Sequence, residues 1–174
     1  MTPPYNVLFL CTGNSARSIL AEAILNKLGH GRFAAFSAGS DPKGHVHAQT
    51  LALLRERGFE TAPLRSNSWE EFSRSDAANF DVVITVCDNA AGEACPLFPG
   101  HPIRAHWGVA DPALATGTEA EVRLAFVNAF DALSRRISDL MALPLGSMER
   151  TDLQQQLNAI GRTDDAGATL ATAT

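Results

Sequence analysis

Short unbroken apolar runs alternate along this chain with stretches whose apolar positions recur every three to four residues, the pattern of buried strands interleaved with amphipathic helices. Asn6–Leu10 predicts a buried strand. Ser18–Leu28 follows as a helix with Leu20, Ile24 and Leu28 on one face, and Gly29 stands where a helix end favours glycine. Phe33–Ser37 predicts a second strand, and His47, Leu51 and Leu54 mark a second helix stopped by Gly58. An extended piece around Ala62–Leu64 leads to Ser68-Trp-Glu-Glu71, which reads as a capping box opening a short helix. The β-branched run Phe80–Val86 predicts a central strand covered on both faces, and Ile103–Trp107 a last one. Thr118-Glu-Ala-Glu121 is a second capping box, continued by Val122, Phe126, Phe130, Leu133, Ile137 and Leu140 as one long helix.

This alternation predicts an α/β fold, a four-stranded parallel sheet with helices on both faces. Ligands of such sheets bind beyond the carboxyl ends of the strands. Residues 5–146 are expected to form a single catalytic domain and 147–174 a C-terminal extension. Within the extension Asp152–Ile160 reads as a short helix, and the small, polar, aperiodic stretch from Arg162 reads as a disordered tail.

Composition narrows the picture. The chain has 174 residues, 45% hydrophobic and 19% charged, with a formal net charge of −5, so a nucleic-acid partner is not expected. No apolar stretch is long enough for a membrane helix, and the N-terminus lacks a signal-peptide pattern, so the cytoplasm is the expected compartment. Three cysteines there suit redox or metal chemistry better than a structural framework.

The candidate chemistry begins directly after the first strand, at Cys11-Thr-Gly-Asn-Ser-Ala-Arg-Ser18. Successive amides of Thr12, Gly13, Asn14, Ser15, Ala16 and Arg17 can converge on a tetrahedral oxyanion at the start of the following helix. The same field is expected to favour the nucleophilic thiolate at Cys11, and the planar fork of Arg17 to grip two oxygens of the anion. Cys87 and Cys95 flank a segment of small and polar residues, 88–94, suited to being helical in one state and looped in another. Asp111 precedes Pro112, and a carboxylic acid near the oxyanion can protonate a leaving oxygen.

These stretches, with Thr85-Val-Cys-Asp88, Cys95-Pro96 and His106-Trp-Gly-Val-Ala-Asp-Pro-Ala113, resemble the arsenate reductases built on the low-molecular-weight tyrosine phosphatase fold, over about residues 5–142. The resemblance implies that Cys11 attacks arsenate, that Arg17 and the loop hold it, that Ser18 hydrogen-bonds the thiolate, and that Asp111 is the general acid. It further implies that Cys87 attacks Cys11 to release arsenite, and that Cys95 then moves the disulfide outward to Cys87–Cys95. Such a relay makes chemical sense, because reducing As(V) to As(III) takes two electrons that one thiolate cannot supply. An external thiol reductant is then required, thioredoxin or glutathione with glutaredoxin, and no tightly bound cofactor. Phosphate and sulfate would act as substrate analogues, and a monomer is expected. Asn14, Glu22 and Ser37 match ligands of a potassium site that the family can carry, but its aspartate is replaced near Asn67, so no metal is assigned.

Two competing readings remain. A protein tyrosine phosphatase of the same fold needs aromatic walls around its substrate ring. Here Asp111-Pro112 is followed by Ala113-Leu114 and Tyr5 is the only tyrosine, which favours a small inorganic oxyanion with weak phosphatase activity beside it. A zinc-stabilised binding module would use Cys87, Cys95, His101 and His106, at spacings unlike the usual short knuckle. His45 and His47 read as surface or helix-start residues, and Trp69 and Trp107 as packing anchors.

Overall fold

The computed structural model of the protein describes residues 2–93 and 95–163. Four parallel strands, β1 (Tyr5–Cys11), β2 (Phe33–Gly39), β3 (Val82–Thr85) and β4 (Ile103–His106), form one sheet in the order β2-β1-β3-β4. The helices are α1 (Arg17–Leu28), α2 (Ala48–Glu56), α3 (Glu70–Ser73), α4 (Asp88–Gly92), α5 (Glu119–Ala142) and α6 (Arg150–Gly161). No helix among the described residues is long and apolar enough to cross a membrane.

Alternation along the central strands divides the core in two. Val7, Phe9 and Cys11 of β1 and Val82 and Ile84 of β3 join the larger cluster, which α1, α5 and α6 supply with Ile19, Leu20, Ile24, Phe126, Leu133, Ile137, Leu140 and Leu157. Leu8, Leu10 and Val83 face the other way, into a smaller cluster with Phe80 and Phe98. Helices thus flank both faces, but unequally. The second face is closed largely by edge-on rings, Phe36, Phe72, Phe80 and Phe98, with α3 as its only helix among the described residues.

Local expectations hold to different degrees. Thr118 caps α5 by accepting from the Glu121 amide at 3.1 Å, as its box predicts. Ser68 instead accepts from the Glu70 amide at 3.3 Å, giving a cap one residue shorter than the box requires. Ala62–Leu64 is not extended: Leu64 N–H donates to the Thr61 carbonyl at 3.1 Å, closing a turn around Pro63. The central run Phe80–Val86 is a ladder only over Val82–Thr85, with its ends tied by hydrogen bonds that include Asp81 N–H to the Asn6 carbonyl and Val86 N–H to the Leu10 carbonyl. The short helix foreseen near Asp152–Ile160 is α6, which lies against β4 and is fastened there by Trp107, whose Nε1–H donates to the Leu157 carbonyl at 3.0 Å. Residues 164–174, where a disordered tail was expected, lie outside the described residues.

Candidate active site

The strand ends deliver the chemistry. β1 stops at Cys11, and the chain turns through Asn14, whose φ of 43° is the left-handed region that asparagine tolerates, before entering α1. Three carbonyls of the loop are held by other segments. The Thr12 carbonyl accepts from Asp41 N–H, that of Gly13 from Lys43 N–H, and that of Ser15 from His47 N–H and the Thr50 hydroxyl, all at 3.0 Å. The side of the loop left to the cleft is therefore the amide side. Gly39 must be glycine, because a Cβ there would press into the Thr12 carbonyl and stand 3.0 Å from Asn14. The resulting cleft of about 470 Å3 is lined by Cys11 to Arg17 together with Asp41, Pro42, Lys43, Asp111, Ala113 and Leu114.

Arg17 is aimed by two partners. Its Nη1 donates to the Val109 carbonyl at 3.0 Å and its Nη2 lies 3.1 Å from Asp111 Oδ2, while Nε is buried with no partner in the protein. Asp111 is fixed in turn, because its Oδ1 accepts from Ala113 N–H at 3.0 Å. The acid and the guanidinium thus meet at the cleft before any anion enters. Ser18 is fully buried, and its hydroxyl accepts from Asn14 Nδ2 at 2.8 Å, which leaves its own proton to donate.

Cys87 comes to the same place from the end of β3, its Sγ 3.6 Å from the Thr12 hydroxyl and near enough to Cys11 for each thiol to shift the other. Both are buried, at 4% and 2% exposure for Cys11 and Cys87. The two thiols are shifted in opposite directions. The hydrogen bond from the Cys11 thiol lowers Cys87 most, burial opposes it, and the Ala90 and Thr12 donors bring the thiol down to about 5. Cys11 is pushed up, first by that same hydrogen bond and then by burial, against the pull of Arg17 and the Gly13 amide. Cys87 is thus the more acidic thiol of the pair, and the field expected to favour a thiolate at Cys11 is opposed there by its neighbour. A neighbouring sulfur outweighs the loop's field, and nothing in the local sequence of Cys11 reveals that neighbour.

Cys95 lies elsewhere. It is half-buried, packs with the smaller core cluster on the opposite face of the sheet, and has its thiol raised by burial despite a hydrogen bond from Arg104. All three cysteines are free. The four candidate zinc ligands do not assemble: among the described residues no three His, Cys, Asp or Glu side chains form a metal-holding group.

The residues matching a potassium site are joined to one another. The Asn14 side-chain carbonyl accepts from Asn67 N–H at 2.7 Å, Ser37 Oγ donates to Glu22, and Asn67 Nδ2 donates to the Ser37 carbonyl at 3.3 Å. Burial raises Glu22 to about 7, against the Ser37 hydrogen bond and the charge of Arg65. His47 is a helix-start residue, its Nδ1 accepting from Gln49 N–H at 3.1 Å, and Trp107 is fully buried as a packing anchor.

Sequence reasoning missed three features: the Thr12 hydroxyl 3.6 Å from Cys87 Sγ, the Lys43 chain lying over Gly13, and the link from Asp88 through His106 to Thr85. Each joins segments far apart in the chain, and only strand register brings them together.

Comparison with known proteins agrees with this geometry. The family model of low molecular weight phosphotyrosine protein phosphatases matches residues 6–158. An arsenate reductase of Bacillus subtilis is 35% identical over 134 residues, which make up 76% of this chain and 92% of the relative. A solved thioredoxin-dependent arsenate reductase of Corynebacterium glutamicum superposes with a TM-score of 0.58 at 25% identity, covering 80% of this chain but only 61% of that longer one. The solved arsenate reductase of Archaeoglobus fulgidus gives a TM-score of 0.56 at 27% identity, over 76% of this chain and 98% of that one.

Proposed function

The chain belongs to the low molecular weight phosphotyrosine protein phosphatase family, and from that premise we propose that it reduces arsenate to arsenite by a disulfide relay. The observation that carries this reading is the contact between two buried sulfurs, Cys11 and Cys87, at the mouth of one oxyanion loop. A phosphatase has no use for the second.

Arsenate enters the cleft as an oxyanion and displaces Asp111 from part of Arg17, whose unpartnered Nε is available to it. Cys11 Sγ attacks arsenic and an As–O bond breaks. Asp111, released from Arg17, takes the Cys11 proton as the sulfur attacks and hands it to the departing hydroxyl oxygen, which leaves as water. Cys87, the more acidic thiol of the pair, then attacks Cys11 Sγ. A sulfur–sulfur bond forms, the S–As bond breaks, and its electron pair stays on arsenic, which leaves as As(III) arsenite. Cys95 next attacks Cys87 Sγ, forming Cys87–Cys95 and freeing Cys11. This last exchange needs α4 to unwind, because Cys95 packs on the other face of the sheet. Ser18, with a proton to donate, steadies the Cys11 thiolate whenever it is formed.

A dithiol protein of the thioredoxin type restores the enzyme by reducing Cys87–Cys95, and glutathione with glutaredoxin is the competing donor. Three free thiols suit a reducing cytoplasm, and since every reacting group comes from one chain, a monomer suffices. The anion loop alone supports a weak hydrolysis of aryl phosphates. Steady-state assays with arsenate, run in parallel with thioredoxin plus its reductase and with glutathione plus glutaredoxin, test the reading. Turnover with thioredoxin is expected, turnover only with glutathione reassigns the donor, and no arsenite in either assay rejects arsenate as the substrate.

A further inference from the structure

α4 is only five residues long and begins at Asp88, immediately after Cys87. A helix this short has little stability of its own. Its first turn is tied to the end of β4 through one imidazole: His106 Nε2 lies 2.9 Å from Asp88 Oδ1, and His106 Nδ1 lies 2.7 Å from Thr85 Oγ1. Thr85 and His106 are paired directly across the β3–β4 ladder, so register fixes the imidazole in place. A ring that accepts a hydrogen bond from the Thr85 hydroxyl at Nδ1 donates its Nε2–H to Asp88. Gly108 makes room for the pair, since a Cβ there would stand 3.0 Å from both the Asp88 carboxylate and the His106 ring.

We infer that His106 is a positioning residue: through Asp88 it holds the first turn of α4 and keeps Cys87 turned toward Cys11 for the second sulfur attack. The inference rests on the disulfide-relay reading. The intact turn is what lets Ala90 N–H reach Cys87 Sγ, at 3.4 Å, while the Thr12 hydroxyl approaches from the other side. Releasing the turn removes the Ala90 donor and lets the sulfur wander from the loop. The clasp is also suited to opening afterwards, when Cys87 must leave for Cys95, because the Asp88 side chain is 92% exposed and an exposed pair is weak.

The test uses the full chain with Cys95→Ser, in which the relay stops at Cys11–Cys87 and arsenite is read in a single turnover. Adding His106→Ala is expected to slow arsenite release about ten-fold or more at pH 7, as Cys87 loses its fixed position beside Cys11. Hydrolysis of para-nitrophenyl phosphate, which needs only the loop, Arg17 and Asp111, should stay within about two-fold. The pH profile of Cys87 alkylation by iodoacetamide, followed by mass, should move upward by about a unit or more. Asp88→Ala, at an exposed position outside the sheet, should give the same split, and His106→Gln, which keeps a donor, should recover part of the rate. Unchanged arsenite release and an unchanged alkylation profile overturn the inference, as does a parallel loss of phosphate-ester hydrolysis in both variants. Failure of the reductase reading looks different: the Cys95→Ser protein with His106 intact releases no arsenite, while the alkylation profile still reports whether the clasp holds Cys87.

Discussion

Cys11→Ser abolishes arsenate reduction and aryl phosphate hydrolysis together, each by about 10^4-fold or more, because the alkoxide that would replace the thiolate is far more basic. The substitution is nearly isosteric in a site where the side chain is 4% exposed, so folding should be little affected. Initial rates with arsenate and with para-nitrophenyl phosphate, beside a thermal melt, check it. Retention of either activity at more than about a hundredth of the original would mean that another group opens the reaction.

Cys87→Ala separates the two activities. Arsenate turnover is lost, because no sulfur remains beside Cys11 to accept the oxidation, whereas phosphate-ester hydrolysis persists. The pH behaviour gives a second, independent reading of the same substitution. In the unsubstituted protein Cys87 is lowered to about 5 and Cys11 is raised, so iodoacetamide should label Cys87 first and continue to do so until the pH falls through about 5. In Cys87→Ala the largest influence raising Cys11 is gone and only burial opposes Arg17 and the Gly13 amide, so the Cys11 thiolate should appear at lower pH than before. Alkylation profiles resolved by mass measure both. Labelling of Cys11 ahead of Cys87 in the unsubstituted protein would contradict the opposite shifts of the two thiols.

What the sequence reveals and what it hides divide along physical lines. Cys11, Arg17 and the loop between them are legible because one short segment carries them between a strand and a helix. The parallel sheet follows from apolar runs such as Val7-Leu-Phe-Leu10, which are buried on both sides in the fold. The unequal faces are not legible, since Phe36, Phe72, Phe80 and Phe98 come from separate segments and no periodicity announces that rings will replace helices there. Cys87 and Cys95 are adjacent in any motif, yet one faces the anion loop and the other packs across the sheet. The upward push on the Cys11 thiol is hidden for a similar reason: it depends on a sulfur 76 positions away in the chain, brought near because β1 and β3 are neighbours. His106 reads in sequence as part of a motif or as a metal ligand, and only its pairing opposite Thr85 exposes its hold on Asp88.

The relay itself is tested most directly by mixing reduced Cys95→Ser protein with one equivalent of arsenate, quenching in acid, and mapping its disulfides by mass. The account predicts a stoichiometric bond between Cys11 and Cys87 that appears together with free arsenite. Arsenite released with both of those cysteines still as thiols would show that the electrons come from somewhere else.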